Sequence, residues 1–117
     1  MFLFFITALK YIYDFKMYPE VNSTAVIEGE RFELKCEYEK VGGNITWWKI
    51  NQGKSNISKV IPREKISVKN QAAQKTIEFY VIEKISLDDS GAYRCEVMEG
   101  STSRLTHVLA LQVIGEY

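Results

Sequence analysis

The sequence predicts an all-β domain, a sandwich or a barrel, and three runs of residues carry that expectation. In Leu87-Asp88-Asp89-Ser90-Gly91-Ala92-Tyr93-Arg94-Cys95, turn residues stand directly before an alternation of Tyr93, Cys95 and Val97, the period of a half-buried strand. A second alternation occupies Phe32-Glu33-Leu34-Lys35-Cys36, and a third, Ile45-Thr46-Trp47-Trp48-Lys49, lies between the two. At 117 residues, with 46% hydrophobic and 13% aromatic content, the chain suffices for one core and one domain.

The run Asp89-Ser90-Gly91-Ala92-Tyr93-Arg94-Cys95, with Leu87 two residues before the aspartate, resembles the start of strand F in the immunoglobulin superfamily. Cys36, and Trp47 eleven residues after it, supply the upstream partners of that pattern. The resemblance implies a two-sheet Greek-key sandwich in which Cys36 and Cys95 form the inter-sheet bridge and Trp47 packs on it. It also implies that Tyr93 makes a tyrosine corner and that Leu87 and Asp89 belong to the core around it. Asp89 is expected to cap the turn and to pair with Lys65 or Arg63, as the family's aspartate does.

Composition alone leaves two cysteines open to a bridge or to two buried thiols. Three sequons favour the bridge. Asn22-Ser23-Thr24, Asn44-Ile45-Thr46 and Asn56-Ile57-Ser58 all match Asn-x-Ser/Thr, where this composition gives about 0.6 by chance. The expectation is therefore a secreted or cell-surface, extracellular chain glycosylated at Asn22, Asn44 and Asn56. A bridge closing so long a loop adds about 4 kcal/mol on the chain-entropy model.

Taken in order, Met1 to Leu9 resembles the apolar region of a signal peptide, without a basic residue before it or a small-x-small cleavage site after it. Residues 1–18 are read as a leader, either a cleaved signal or leftover sequence ahead of an ectodomain fragment, and 19–117 as the domain. Glu20 to Ile27 reads as strand A, residues 31–38 as B, Ile45 to Ile50 as C, Ile57 to Ile61 as C′ and Lys65 to Lys69 as D. The spacing leaves little room for a C″ strand, which favours an I-set-like pattern over a variable-like one. Strand E, Thr76 to Glu83, is apolar on both phases. Counting from Cys95 puts Tyr80, Ile82 and Ile85 inward and Ile77, Phe79 and Val81 outward, and a one-residue shift reverses the faces. Strand F follows, and Arg104 to Ile114 reads as strand G with Leu109, Leu111 and Val113 inward.

Net charge is zero, so no global field selects a nucleic acid. Residues 49–75 nevertheless carry Lys49, Lys54, Lys59, Arg63, Lys65, Lys69 and Lys75 against Glu64 alone. Lysines on edge strands prevent aggregation, and the same run could take an acidic protein or a sulfated glycan. His107, the sole histidine, stands in a strand region that supplies no pocket or activated nucleophile, so no enzyme activity is expected. Neither a metal nor a cofactor is expected, because both cysteines are committed and no spacing matches a known site. No stretch reaches the roughly 20 apolar residues of a membrane span.

The outward face of strands C, F and G gathers Trp48 and Ile50, then Arg94, Glu96 and Met98, then Thr106, Val108 and Ala110. An apolar centre with a charged rim is the make-up of a recognition patch, and Trp48, Ile50, Met98 and Val108 are its expected contact residues. The expected function is protein recognition, homophilic or heterophilic, in a cell-adhesion molecule or receptor ectodomain. A structural spacer in a longer array and a secreted single-domain ligand-binding or immune factor are the alternatives.

Overall fold

The computed structural model describes residues 13–40, 42–51, 57–60, 64–70 and 75–115, with the backbone alone for 57–60 and 64–70. Among them, β1 (Phe15–Tyr18), β3 (Phe32–Tyr38), β6 (Glu64–Asn70) and β7 (Lys75–Ile82) form one sheet in the order β1-β3-β7-β6. The other sheet holds β2 (Ser23–Ile27), β4 (Ile45–Asn51), β5 (Ile57–Val60), β8 (Gly91–Glu99) and β10 (Leu109–Ile114) in the order β2-β10-β8-β4-β5, with β9 (Thr102–Leu105) paired to β8. The β2–β10 pair is parallel and the others are antiparallel.

Alternation along the strands builds the core. Leu34, Cys36 and Tyr38 from β3 face Trp47 from β4, Tyr93, Cys95 and Val97 from β8, and Leu109 and Leu111 from β10, all nearly solvent-free. Burying each such apolar side chain stabilises the fold by roughly 1.5–3 kcal/mol. The Cys36–Cys95 disulfide joins the sheets with its Cα atoms 6.7 Å apart. Trp47 stands opposite Cys95 in the β4–β8 register and meets Tyr80 edge-on at 5.4 Å between ring centroids, and Tyr80 meets Tyr93 at 5.8 Å.

Several expectations need correction. The strand expected over Glu20 to Ile27 is the shorter β2, on β10, and an unexpected strand, β1, precedes it in the other sheet on β3, with the cis Tyr18–Pro19 bond between them. The leader boundary after residue 18 therefore falls too late, because Phe15 and Met17 already pack in the core; residues 1–12, with the signal-like stretch, lie outside the described residues. Leu87 is 52% exposed rather than buried. It opens a 3₁₀ turn over Leu87–Asp89 that points Asp89 inward and so turns Leu87 out, while Ile85 fills the core at 1% exposure. In β7, Tyr80 and Ile82 point inward, with Ile77 and Phe79 half-buried on the other face. Val81 departs from its outward expectation and is 0% exposed. It lies opposite Glu33, and the Arg31 guanidinium bonds Glu33 and Glu83 on that side of the sheet.

Strand G also breaks. Leu105 pairs with Glu96 and Leu109 with Tyr93, so Thr106, His107 and Val108 stand opposite only Arg94 and Cys95. One extra residue is a bulge, and it reverses which residues face outward on either side of it.

Candidate functional site

The corner before β8 is built from side chains that satisfy one another. The Tyr93 hydroxyl donates to the Asp89 carbonyl at 2.5 Å, and Asp89 Oδ2 accepts from the Ser86 N–H at 2.8 Å and from the Ser86 hydroxyl at 3.1 Å. Val113 N–H donates to Ser90 Oγ at 2.9 Å, which fastens the corner to β10. Gly91 is required where β8 starts, since a Cβ there would lie 2.4 Å from the Ile50 carbonyl oxygen. Lys65 and Arg63, the expected partners of Asp89, lie outside the described side chains.

The outer face of β4, β8 and β9 is organised by Glu96. Its carboxylate accepts from Trp48 Nε1 at 3.1 Å and from the Ser103 hydroxyl, so a half-buried indole is tied in place on the open side of the sheet. Met98 is 50% exposed and Val108 39%. Sequence reasoning missed Leu105, 47% exposed, which the bulge sets opposite Glu96 in place of Thr106. Thr106 turns its hydroxyl back to accept from the Cys95 N–H at 3.0 Å. The signal for this was present only as a mismatch between the alternations of 102–105 and 109–113, which a single continuous strand conceals.

The four expected contact residues do not form one cluster. Trp48 pairs with Arg94 and Ile50 with Ala92, whereas Met98 lies at the far end of β8, one step beyond the Ile45–Val97 pair. Six residues of strand separate the levels of Met98 and Ile50, on the order of 20 Å. Val108 sits in the bulge, apart from both. Ile50 borders a shallow groove of about 670 Å³ whose floor includes Gly91, Ala92 and Ala110, open because those residues carry little or no side chain.

Other expected site residues have local structural partners. His107 Nε2 lies 3.2 Å from the Pro19 carbonyl oxygen. Lys49 is 8% exposed, with its ammonium on the Asp88 carbonyl at 2.8 Å and over the Tyr93 ring, so it is no part of an exposed basic surface. Lys75 bonds Glu37 at 2.7 Å, which holds the Glu37 carboxyl below its ordinary range and raises the lysine. Lys54, Lys59, Arg63, Lys65 and Lys69 fall outside the described side chains, as does Asn56; Asn22 and Asn44 are both exposed. Beside β9, the Tyr38 hydroxyl donates to Glu99 Oε2 at 2.6 Å, and Arg104 bonds the same carboxylate and the Tyr13 carbonyl. Burial and the Glu99 carboxylate push the Tyr38 phenol up to about 12, and the bond from Tyr38 holds Glu99 low. Among the described residues, no group of three or more His, Cys, Asp or Glu could hold a metal, and no helix is long and apolar enough to cross a membrane.

The family model for the immunoglobulin domain matches residues 22–104. The chain belongs to the immunoglobulin domain family. Among solved structures, this immunoglobulin domain is similar to the BTLA ectodomain at 17% identity, with a TM-score of 0.65 over 86% of this chain and 99% of that one. It is similar at 17% identity to a chain from the structure describing T cell specificity and activation by the bacterial superantigen toxic shock syndrome toxin-1, with a TM-score of 0.64 over 88% of this chain and 100% of that one. No curated protein sequence matches the chain. At such identities the structures support the shared sandwich and not a shared ligand.

Proposed function

We propose that this immunoglobulin domain is an extracellular, non-enzymatic recognition module of a cell-adhesion molecule or receptor ectodomain, which binds a protein partner with the outer face of β4, β8 and β9. The observation that carries the reading is the tied indole of Trp48 amid apolar side chains, exposed Met98 and Leu105 towards one end and half-buried Ile50 with its groove towards the other. A pre-positioned aromatic beside open apolar surface supplies an anchor with little rotamer entropy left to lose. The extracellular assignment is supported by the Cys36–Cys95 bridge and by exposed Asn22 and Asn44 in sequons. Staining of cell panels by a fluorescent multimer of the secreted protein tests the reading: Trp48→Ala and Met98→Asp variants that fold normally should stain more weakly. Staining that survives both substitutions would place the contact on another surface.

A further inference from the structure

Among the described residues, the strand edge of the larger sheet that no charge, proline or bulge guards belongs to β2. Asn22 accepts from the Ala110 N–H at 2.8 Å and the Glu28 N–H donates to the Ile114 carbonyl at 2.7 Å, so even-numbered residues of this segment address β10. In parallel pairing the alternate residues then point their N–H and C=O groups away from the sheet. Those residues are Ser23, Ala25 and Ile27; the Ile27 carbonyl takes one bond from Glu30 N–H at 3.1 Å and keeps a second lone pair.

Protein edges are normally guarded by charge, proline or a bulge. The other edge strands among the described residues contain charged residues, Lys16 in β1, Lys59 in β5, Glu64, Lys65 and Lys69 in β6, and Arg104 in β9. The β2 sequence, Ser23-Thr24-Ala25-Val26-Ile27, has no charge and no proline, and it pairs with β10 without a bulge. What stands at its head is Asn22, exposed and in a sequon that includes Ser23 and Thr24 of the strand itself.

We infer that an N-linked glycan on Asn22 guards this edge, and that without it a second copy of the chain pairs antiparallel along β2. The edge is self-complementary. A two-fold axis at Ala25 sets Ala25 against Ala25 of the other copy, and Ser23 against Ile27, so each outward N–H meets an outward C=O. The opposed side chains at the axis are methyl groups, which leave room for the backbones to approach. A branched sugar at Asn22 occupies the volume that the second copy's Ile27 end would need. The inference rests on the secretory reading above.

The test is the mass in solution of the full chain secreted from a eukaryotic cell line, by size-exclusion chromatography with light scattering. The glycosylated protein should be a monomer. Asn22→Gln and Thr24→Ala, two independent ways of losing this sequon, should each shift it to twice the monomer mass, whereas Asn44→Gln should not. Adding Ala25→Lys, at an exposed position, to Asn22→Gln should restore the monomer by opposing two ammonium groups at the axis. Monomeric Asn22→Gln and Thr24→Ala variants would overturn the inference, as would a dimer indifferent to Ala25→Lys. Intact mass separates the two readings: glycan on Asn44 with none on Asn22 removes this inference alone, while a chain bare at every asparagine removes the secretory reading as well.

Discussion

Trp47 Nε1 donates to Glu78 Oε1 at 2.6 Å inside the sandwich, where the carboxylate-bearing residue is only 4% exposed. The bond joins β4 of one sheet to β7 of the other, beside the Cys36–Cys95 bridge, so it fixes how the two sheets face each other as well as satisfying a buried indole. A buried donor left without its acceptor costs about 1–3 kcal/mol. Glu78→Ala should therefore lower stability by at least that much in chemical denaturation. Trp47→Phe and Glu78→Ala, each of which removes one partner of the bond, should be non-additive, with a coupling of about 0.5–3 kcal/mol in a double-mutant cycle. Additive losses would show that the bond contributes nothing of its own.

The Tyr38–Glu99 pair predicts a pH dependence with a defined sign. Tyr38 holds its proton more tightly when folded than in the unfolded chain, so its contribution is complete below pH 10 and is lost as pH rises towards about 12. Glu99 is shifted the other way, chiefly by the bond from Tyr38, and its contribution is present above its ordinary 4.5 and is lost as pH falls. Tyr38→Phe should flatten the fall in melting temperature between pH 10 and 12 relative to the parent. Equal alkaline slopes in the two proteins would exclude Tyr38 as the group responsible.

Ile85 and Leu87 separate what the family pattern implied from what this chain does. Ile85→Ala should cost about 2–5 kcal/mol, as a large-to-small change in a packed core does. Leu87→Ala removes an exposed side chain and should stay within about 0.5 kcal/mol of the parent. Thermal melts of the two variants check the assignment, and a reversed order would restore Leu87 to the core.

The parts of the fold that could be read in the sequence are those fixed by strict alternation. Phe32 to Cys36 and Tyr93 to Val97 each have one apolar phase and lie in register as that phase requires, while in Ile45 to Lys49, where Trp48 makes the second phase apolar too, the spacing of Trp47 from Cys36 picks out the inward one. What could not be read are the places where one residue changes the phase. The extra residue among Thr106, His107 and Val108 carries no distinctive side chain, because a bulge is set by competition between pairings on the two sides of it. The strand β1, inside the stretch read as a leader, is hidden for a related reason: β1 and β2 each pair with partners distant in sequence, and only those partners assign them to different sheets. Glu78 escaped attention because a carboxylate in phase with Tyr80 and Ile82 is explained only by the indole across the core.

Asn44 makes the last prediction, which concerns how much of the outer face a partner can reach. Ile45 pairs with Val97 at the last step of the β4–β8 register, so Asn44, exposed and directly before Ile45, stands at the end of the sheet that carries Met98. A glycan on Asn44 would rise next to Met98 and cover that end, leaving Trp48, Ile50 and the groove open. Trp48→Ala should then cost about 2 kcal/mol or more of partner binding in the glycosylated protein, the loss expected of a central anchor. Met98→Asp should weaken binding less while the sugar is in place and more in the Asn44→Gln background, where a partner can extend over the bare end. Neither change should move the melting temperature much, since Met98 is half exposed and Trp48 lies outside the core. Surface plasmon resonance of the four combinations against the partner found by cell staining checks the order. If Met98→Asp is the more damaging change in the glycosylated protein, the contact lies at the β8–β9 end and Asn44 is either bare or turned away from the face.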